Sequence, residues 1–363
     1  GGIKLMAIIN KPSDYFNTIL YTGDDGTRNI TEADTFQADL VWLKRRNAIS
    51  SHYWVDSVRG ATKSLSSNAD TLEATESAGV TGFVTDGFSL GGAAGYNNTG
   101  DTFASWLWKA GTTGSGTTTG SGTGKAYSYS VNTTSGFSIV KYGGNGTAGH
   151  TIPHHLGAAP SMVICKSITQ NRGWPTQHVG LTSAAYAIYL SFTGAEASNP
   201  AGGGTNTWNS TAASSTVVTL GNNANNNRVD DNDQYIMYSF AEKQGFSKFG
   251  SYTGNGNADG TFVYLGFKPA FTLFKKTNAT SEWFLYDNKR LGYNVTEKVF
   301  EANTTSAEDS SSATYIDYLS NGFKLRGTSG NTNASGSTYI YMAFAENPFV
   351  TSTTNGSIPA TAR

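Results

Sequence analysis

The sequence predicts an all-β protein built from three tandem antiparallel β-sandwich repeats, jelly-roll-like, of about 100 residues each. Gly, Ser, Thr and Asn dominate beside many aromatics, a mixture that favours strands joined by tight turns over helices. Short aromatic runs recur between turn signals, which is how sandwich strands read. The motifs marking those runs also recur three times in one order.

Each repeat opens with a strand running into a turn: Tyr21-Thr22-Gly23-Asp24, Tyr142-Gly143-Gly144-Asn145 and Tyr252-Thr253-Gly254-Asn255. Gly beside Asn or Asp is what a turn with positive φ requires. A second strand ends on Lys44, Lys166 and Lys275, lying 23, 24 and 23 residues after those tyrosines. Twelve residues further on, a polar residue closes another aromatic strand: Asp56, His178 and Asp287. The pattern Gly-Phe-x-Leu follows at Gly87 and Gly322, with a weaker counterpart from Val217 to Leu220. A last aromatic strand closes each repeat, Phe103 to Trp108, Tyr235 to Phe240 and Tyr339 to Phe344. Two stretches, Asp70 to Ser77 and Thr296 to Asn303, are the places where some helix is expected.

Lys44 and Lys166 lie 122 residues apart, Lys166 and Lys275 only 109. The excess of 13 is about the length of Gly111 to Gly124, a Gly/Ser/Thr run that reads as a flexible linker. The organisation expected is an N-terminal arm (1–12), a first sandwich (13–111), a linker and strand (112–135), second and third sandwiches (136–243 and 244–349) and a polar tail (350–363). A hundred residues can close a sandwich alone, so the three are expected as beads in series.

Charged residues make up 14 % of the chain and the formal net charge is −1, so the basic face that nucleic acid demands is not expected. Apolar runs fall far short of the roughly 20 residues of a membrane span. No secretory leader is recognised, and Cys165, the single cysteine, cannot form an internal disulfide.

Three copies act as an internal control: what all share serves the fold, and what one alone carries is freer to serve function. Trp54, Trp174 and Trp283 sit at nearly matching places, which favours core packing over a sugar-stacking platform. Asp56 with Arg59, and Asp287 with Arg290, read as structural ion pairs; Glu242 and Glu346 both follow Phe-Ala and read as architecture. Cys165 falls in register with Leu43 and Phe274, a buried small hydrophobe. His150, His154 and His155 occur in one repeat only and offer imidazoles to a metal, but alternation sends two of them to opposite sides, so no metal site is assigned. The run Asp230-Asp231-Asn232-Asp233 lacks the glycine and glutamate of a calcium loop and reads as a solvated turn. No carboxylate pair is marked by spacing, and no phosphate loop, nucleophile elbow or zinc motif is present, so neither an enzyme nor a cofactor is expected.

The segment Met6-Ala7-Ile8-Ile9-Asn10-Lys11-Pro12-Ser13-Asp14-Tyr15-Phe16-Asn17-Thr18, followed by Tyr-Thr-Gly, resembles the opening of a family of marine bacteriophage virion structural proteins. Other units of that family are similar to Trp54-Val55-Asp56-Ser57-Val58-Arg59-Gly60-Ala61-Thr62-Lys63, to Ser247 through Gly256 and to Ala343-Phe344-Ala345-Glu346-Asn347-Pro348-Phe349. The resemblance implies a protein on the virion surface, a tail fibre or receptor-binding component on host glycans. The alternative is a head or tail decoration protein. Partners would be other virion structural proteins and further copies of the chain; no catalytic or ligand residue carries over. Loops carry such binding, and the residues unique to one repeat that are singled out are Trp208 and Tyr96.

Overall fold

The computed structural model describes residues 8–32, 35–198, 206–228 and 233–349. The polar tail, most of the N-terminal arm and Asp230 to Asn232 lie outside them.

Each repeat forms a large antiparallel sheet facing a three-stranded one. In all three large sheets, four strands keep one order: opening, hub, lysine and outer. In the first repeat these are Phe16–Thr22, Thr102–Trp108, Leu40–Arg45 and His52–Asp56. The second uses Phe137–Gly143, Gln234–Phe240, Met162–Ser167 and Pro175–His178, and the third Ser247–Thr253, Thr338–Pro348, Phe267–Lys276 and Trp283–Asp287. The Gly-Phe-x-Leu strands Gly87–Leu90 and Gly322–Leu325, and their weak counterpart Val217–Leu220, each lie in the smaller sheet. Between the two sheets lies the sandwich core: Ile19, Val41, Leu43 and Phe103 against Ile30, Phe88 and Leu90 in the first repeat. Equivalent cores fill the second and third.

Strand alternation sends the remaining side chains of the large sheets to the opposite face. On the four shared strands most of them do not meet water. Trp42, Trp54, Trp106 and Trp108 of the first repeat join Ile164, Trp174, Tyr238 and Phe240 of the second, and Phe271, Trp283, Met342 and Phe344 of the third, in one central cluster. Trp108, Phe240 and Phe344 stand at one register of the hub strands, opposite Leu40, Met162 and Phe271. Their ring centroids form a nearly equilateral triangle with sides of 6.2, 5.6 and 6.1 Å. The repeats are therefore three sandwiches round a shared core, not beads in series. The reason is apolarity on both faces: Leu40, Val41, Trp42 and Leu43 are all buried.

The joints follow one cyclic sense. Lys44 Nζ donates to the Thr305 carbonyl of the third repeat at 3.2 Å, Lys166 to Asp70 of the first at 3.0 Å, and Lys275 to Thr193 of the second at 3.1 Å. Backbone pairs close each joint: Ser50 N to Thr305 O with Glu308 N to Arg46 O, Arg172 N to Asp70 O with Glu73 N to Ile168 O, and Ser281 N to Thr193 O with Glu196 N to Thr277 O.

Three local expectations change. The Gly/Ser/Thr run is not a flexible linker: Thr112–Thr117 pairs with Ala126–Asn132 as an added edge strand. Its glycines admit the cross-strand tyrosines, since a Cβ on Gly114 would lie 2.6 Å from the Tyr129 hydroxyl and one on Gly116 2.8 Å from that of Tyr127. Neither stretch expected to be helical is so; each holds a two-residue strand, and among the described residues the α-helical turn is Ala94–Asn97. Trp54 is also out of register with Trp174 and Trp283. His52 pairs with Lys44 as Trp283 does with Lys275.

Candidate functional site

The polar residues that recur hold the fold. Arg59 Nε donates to Asp56 at 2.5 Å and Arg290 Nε to Asp287 at 2.6 Å, all buried. Each carboxylate also receives a hub side chain from the neighbouring repeat: Tyr238 Oη at 2.8 Å on Asp56, and Trp106 Nε1 at 3.1 Å on Asp287. At the third joint the hub residue is Met342, which cannot donate, and the carboxylate is replaced by His178, whose Nε2 meets the Tyr341 carbonyl at 3.0 Å. Donor and acceptor change together. Buried Asn97, Asn227 and Asn333 likewise repeat one task, donating to Gly91, Gly221 and Gly327 carbonyls. Asn227 is the second repeat's counterpart of Asn97 and Asn333, and its six-residue spacing from Gly221 was the signal for it.

The residues unique to the second repeat are engaged separately. His150 meets Asn227 and Thr118, His154 meets Ser214 O, and His155 stacks on Tyr129 at 3.8 Å. No group of three or more metal-ligating side chains occurs among the described residues. Glu242 pairs with Lys248 and Glu346 with Lys268. Cys165 is buried, and burial pushes its thiol up to about 12.

Of the two residues singled out as binders, Trp208 is fully buried in the second sandwich's core and offers no face to a ligand. The indole belongs to the core cluster that includes Val218 and Leu220, and its loop surroundings do not expose it. Tyr96 is also buried, at 2 % exposure, so it is not a surface platform. It nevertheless lines a groove of about 350 Å³ together with Tyr53, Ser66, Thr71, Leu72, Ala74 and Glu76.

That groove is assembled by an aromatic stack. The rings of Tyr53 and Tyr96 lie 4.2 Å apart at 23°. Tyr96 Oη is held by Ser64 Oγ at 2.6 Å, and burial raises its phenol far above the ordinary range. Gly95 makes room, since a Cβ there would stand 2.7 Å from the Tyr53 hydroxyl. Tyr53 itself is half-buried, and its hydroxyl takes no hydrogen bond among the described residues.

The carbonyl of Tyr96 accepts from Tyr21 Oη, the part that the carbonyls of Asn226 and Thr332 play for Tyr142 and Tyr252. The fold needs that backbone and tolerates Tyr, Asn or Thr upon it. Tyr53 stands where the sister repeats carry Pro175 and Phe284. The stacked pair thus belongs to the first repeat alone. Sequence reading found Tyr96 and missed Tyr53, although the same comparison of repeats marks both.

Three antiparallel sandwiches fused round one aromatic cluster define an internally repeated all-β protein. The chain belongs to a family described as a domain of unknown function (DUF7483), which matches residues 11–348. No curated protein and no solved structure matches it.

Proposed function

We propose that the chain is a surface protein of a tailed-bacteriophage virion, a tail-fibre or receptor-binding component that attaches to host-surface glycans. The motif resemblance supports the virion setting. Attachment is supported by the contrast between what recurs and what does not. The repeated polar and aromatic residues lock three sandwiches into one body, while the surfaces diverge, with Ile49, Phe192, Tyr264 and Tyr293 exposed in places that differ between repeats. A fixed scaffold carrying unlike surfaces suits recognition, because binding residues sit on loops that the strands hold in place. The test is competition: purified chain added to host cells reduces adsorption of the parent particles in a dose-dependent way. Unchanged adsorption at saturating chain overturns the reading.

A head or tail decoration role is favoured by one observation, the threefold arrangement of Trp108, Phe240 and Phe344. A body with that internal symmetry suits a threefold position on a shell. Copy number per virion separates the two, few on a tail against many over a head.

A further inference from the structure

We propose that the groove beside Tyr53 in the first sandwich is a saccharide-binding site, with the Tyr53 ring as contact platform and Ser66, Thr71 and Glu76 as hydroxyl partners. The proposal rests on the attachment reading for its natural ligand, a host glycan.

A sugar presents patches of C–H flanked by hydroxyls, and the groove answers both. The phenol of Tyr53 has an apolar body and a free polar tip. Leu72 extends the apolar rim, 45 % exposed. The hydroxyls of Ser66 and Thr71 have no partner among the described residues. Glu76 uses Oε1 to accept from Ala78 N at 3.2 Å, which leaves Oε2 for a ligand hydroxyl.

The platform is also fixed in advance. Tyr96 backs the Tyr53 ring and is itself tied to Ser64, so little side-chain freedom is lost on binding. At about 350 Å³ the groove is at the small end of ligand sites, matched to a mono- or disaccharide.

The experiment is saturation-transfer NMR and calorimetry of the full chain with glucose, galactose, mannose, N-acetylglucosamine and their β-linked disaccharides. Binding of at least one sugar is expected, weakened about tenfold or more by Tyr53→Ala and largely kept by Tyr53→Phe. Ala74→Arg, a change at an exposed rim position, abolishes binding with the thermal midpoint unchanged. Sugar binding that survives both Tyr53→Ala and Ala74→Arg overturns the site. So does a wild-type chain that binds none of these sugars yet still blocks adsorption, and that outcome leaves the attachment reading standing. A chain that neither binds sugar nor blocks adsorption overturns both.

Discussion

Tyr238 of the second sandwich donates its phenolic hydrogen to Asp56 Oδ2 of the first at 2.8 Å, with both groups fully buried. The same oxygen takes Arg59 Nε, so one carboxylate balances a buried guanidinium and anchors a neighbouring repeat. Trp106 and Asp287 build the equivalent joint between the first and third sandwiches.

Two substitutions at the first joint should therefore differ in cost. Tyr238→Phe removes one hydrogen bond to a charged acceptor, worth about 1.5–3 kcal/mol. Asp56→Ala strands Arg59 with only the partly exposed Glu73 to balance it, and the expected loss is about 3–5 kcal/mol. Urea denaturation measures both. Equal losses would mean that the Arg59 charge is not held chiefly by Asp56.

Stability should rise with pH over two windows and then fall. Burial lowers the imidazoles of His154 and His178 to about 4 in the folded chain, whereas unfolded histidine titrates near 6.5. Between those values the unfolded state binds more protons, so stability climbs from pH 4 to about 6.5. Burial likewise lowers Lys44 and Lys275 to about 8 and Lys166 to about 7, against about 10.4 unfolded. The second climb therefore runs from about pH 7 to about pH 10. Above that, unfolded tyrosines ionise while Tyr21, Tyr142 and Tyr252, raised by burial, stay protonated, and stability declines. Chemical denaturation from pH 4 to 11 reads the profile, and Lys166→Met should make the second climb smaller while Lys44 and Lys275 keep the rest of it. A profile flat between pH 7 and 10 would exclude neutral buried lysines.

Cys165 should be silent toward a thiol reagent in the native state. It is fully buried, its thiol is pushed up to about 12, and Tyr142 Oη lies 3.6 Å from its Sγ. Only the thiolate reacts, so modification waits for opening of the second sandwich. One equivalent should react after unfolding. Rapid reaction in native buffer would contradict the burial.

The repeats were legible because the fold asks the same residues of each copy: Lys44, Lys166 and Lys275 occupy one place in three sheets, each reaching its neighbour. Their meeting was not inferred, although the signal was present. Leu40-Val41-Trp42-Leu43 is apolar at every position, and a sandwich standing alone would leave alternate residues polar on its outer face. The misreading of Gly111 to Gly124 has a different cause. Composition alone cannot tell a flexible run from a strand whose glycines lie under tyrosine rings, because the rings arrive from the paired strand. Trp208 illustrates the limit of reading uniqueness as function: a residue present in one copy can fill that copy's own core.

The shared core makes a last demand on how the chain unfolds. Trp42, Trp54, Trp106 and Trp108 are buried only because the other two sandwiches cover them, so no repeat carries its own complete set of contacts. Calorimetry should give one transition whose calorimetric and van't Hoff enthalpies agree. Phe344→Ala opens a void beside Trp108, Phe240 and Phe271 and should cost about 3–5 kcal/mol, lowering that single transition instead of splitting off the third repeat. A chain ending at residue 243 would expose the central faces of the first two sandwiches and leave Lys44 without its Thr305 acceptor. It should aggregate or lose the near-ultraviolet signature of packed tryptophans. Two or three resolved transitions in the full chain, or a sharply melting two-repeat fragment, would show that the sandwiches are stable separately and that the central cluster only docks them.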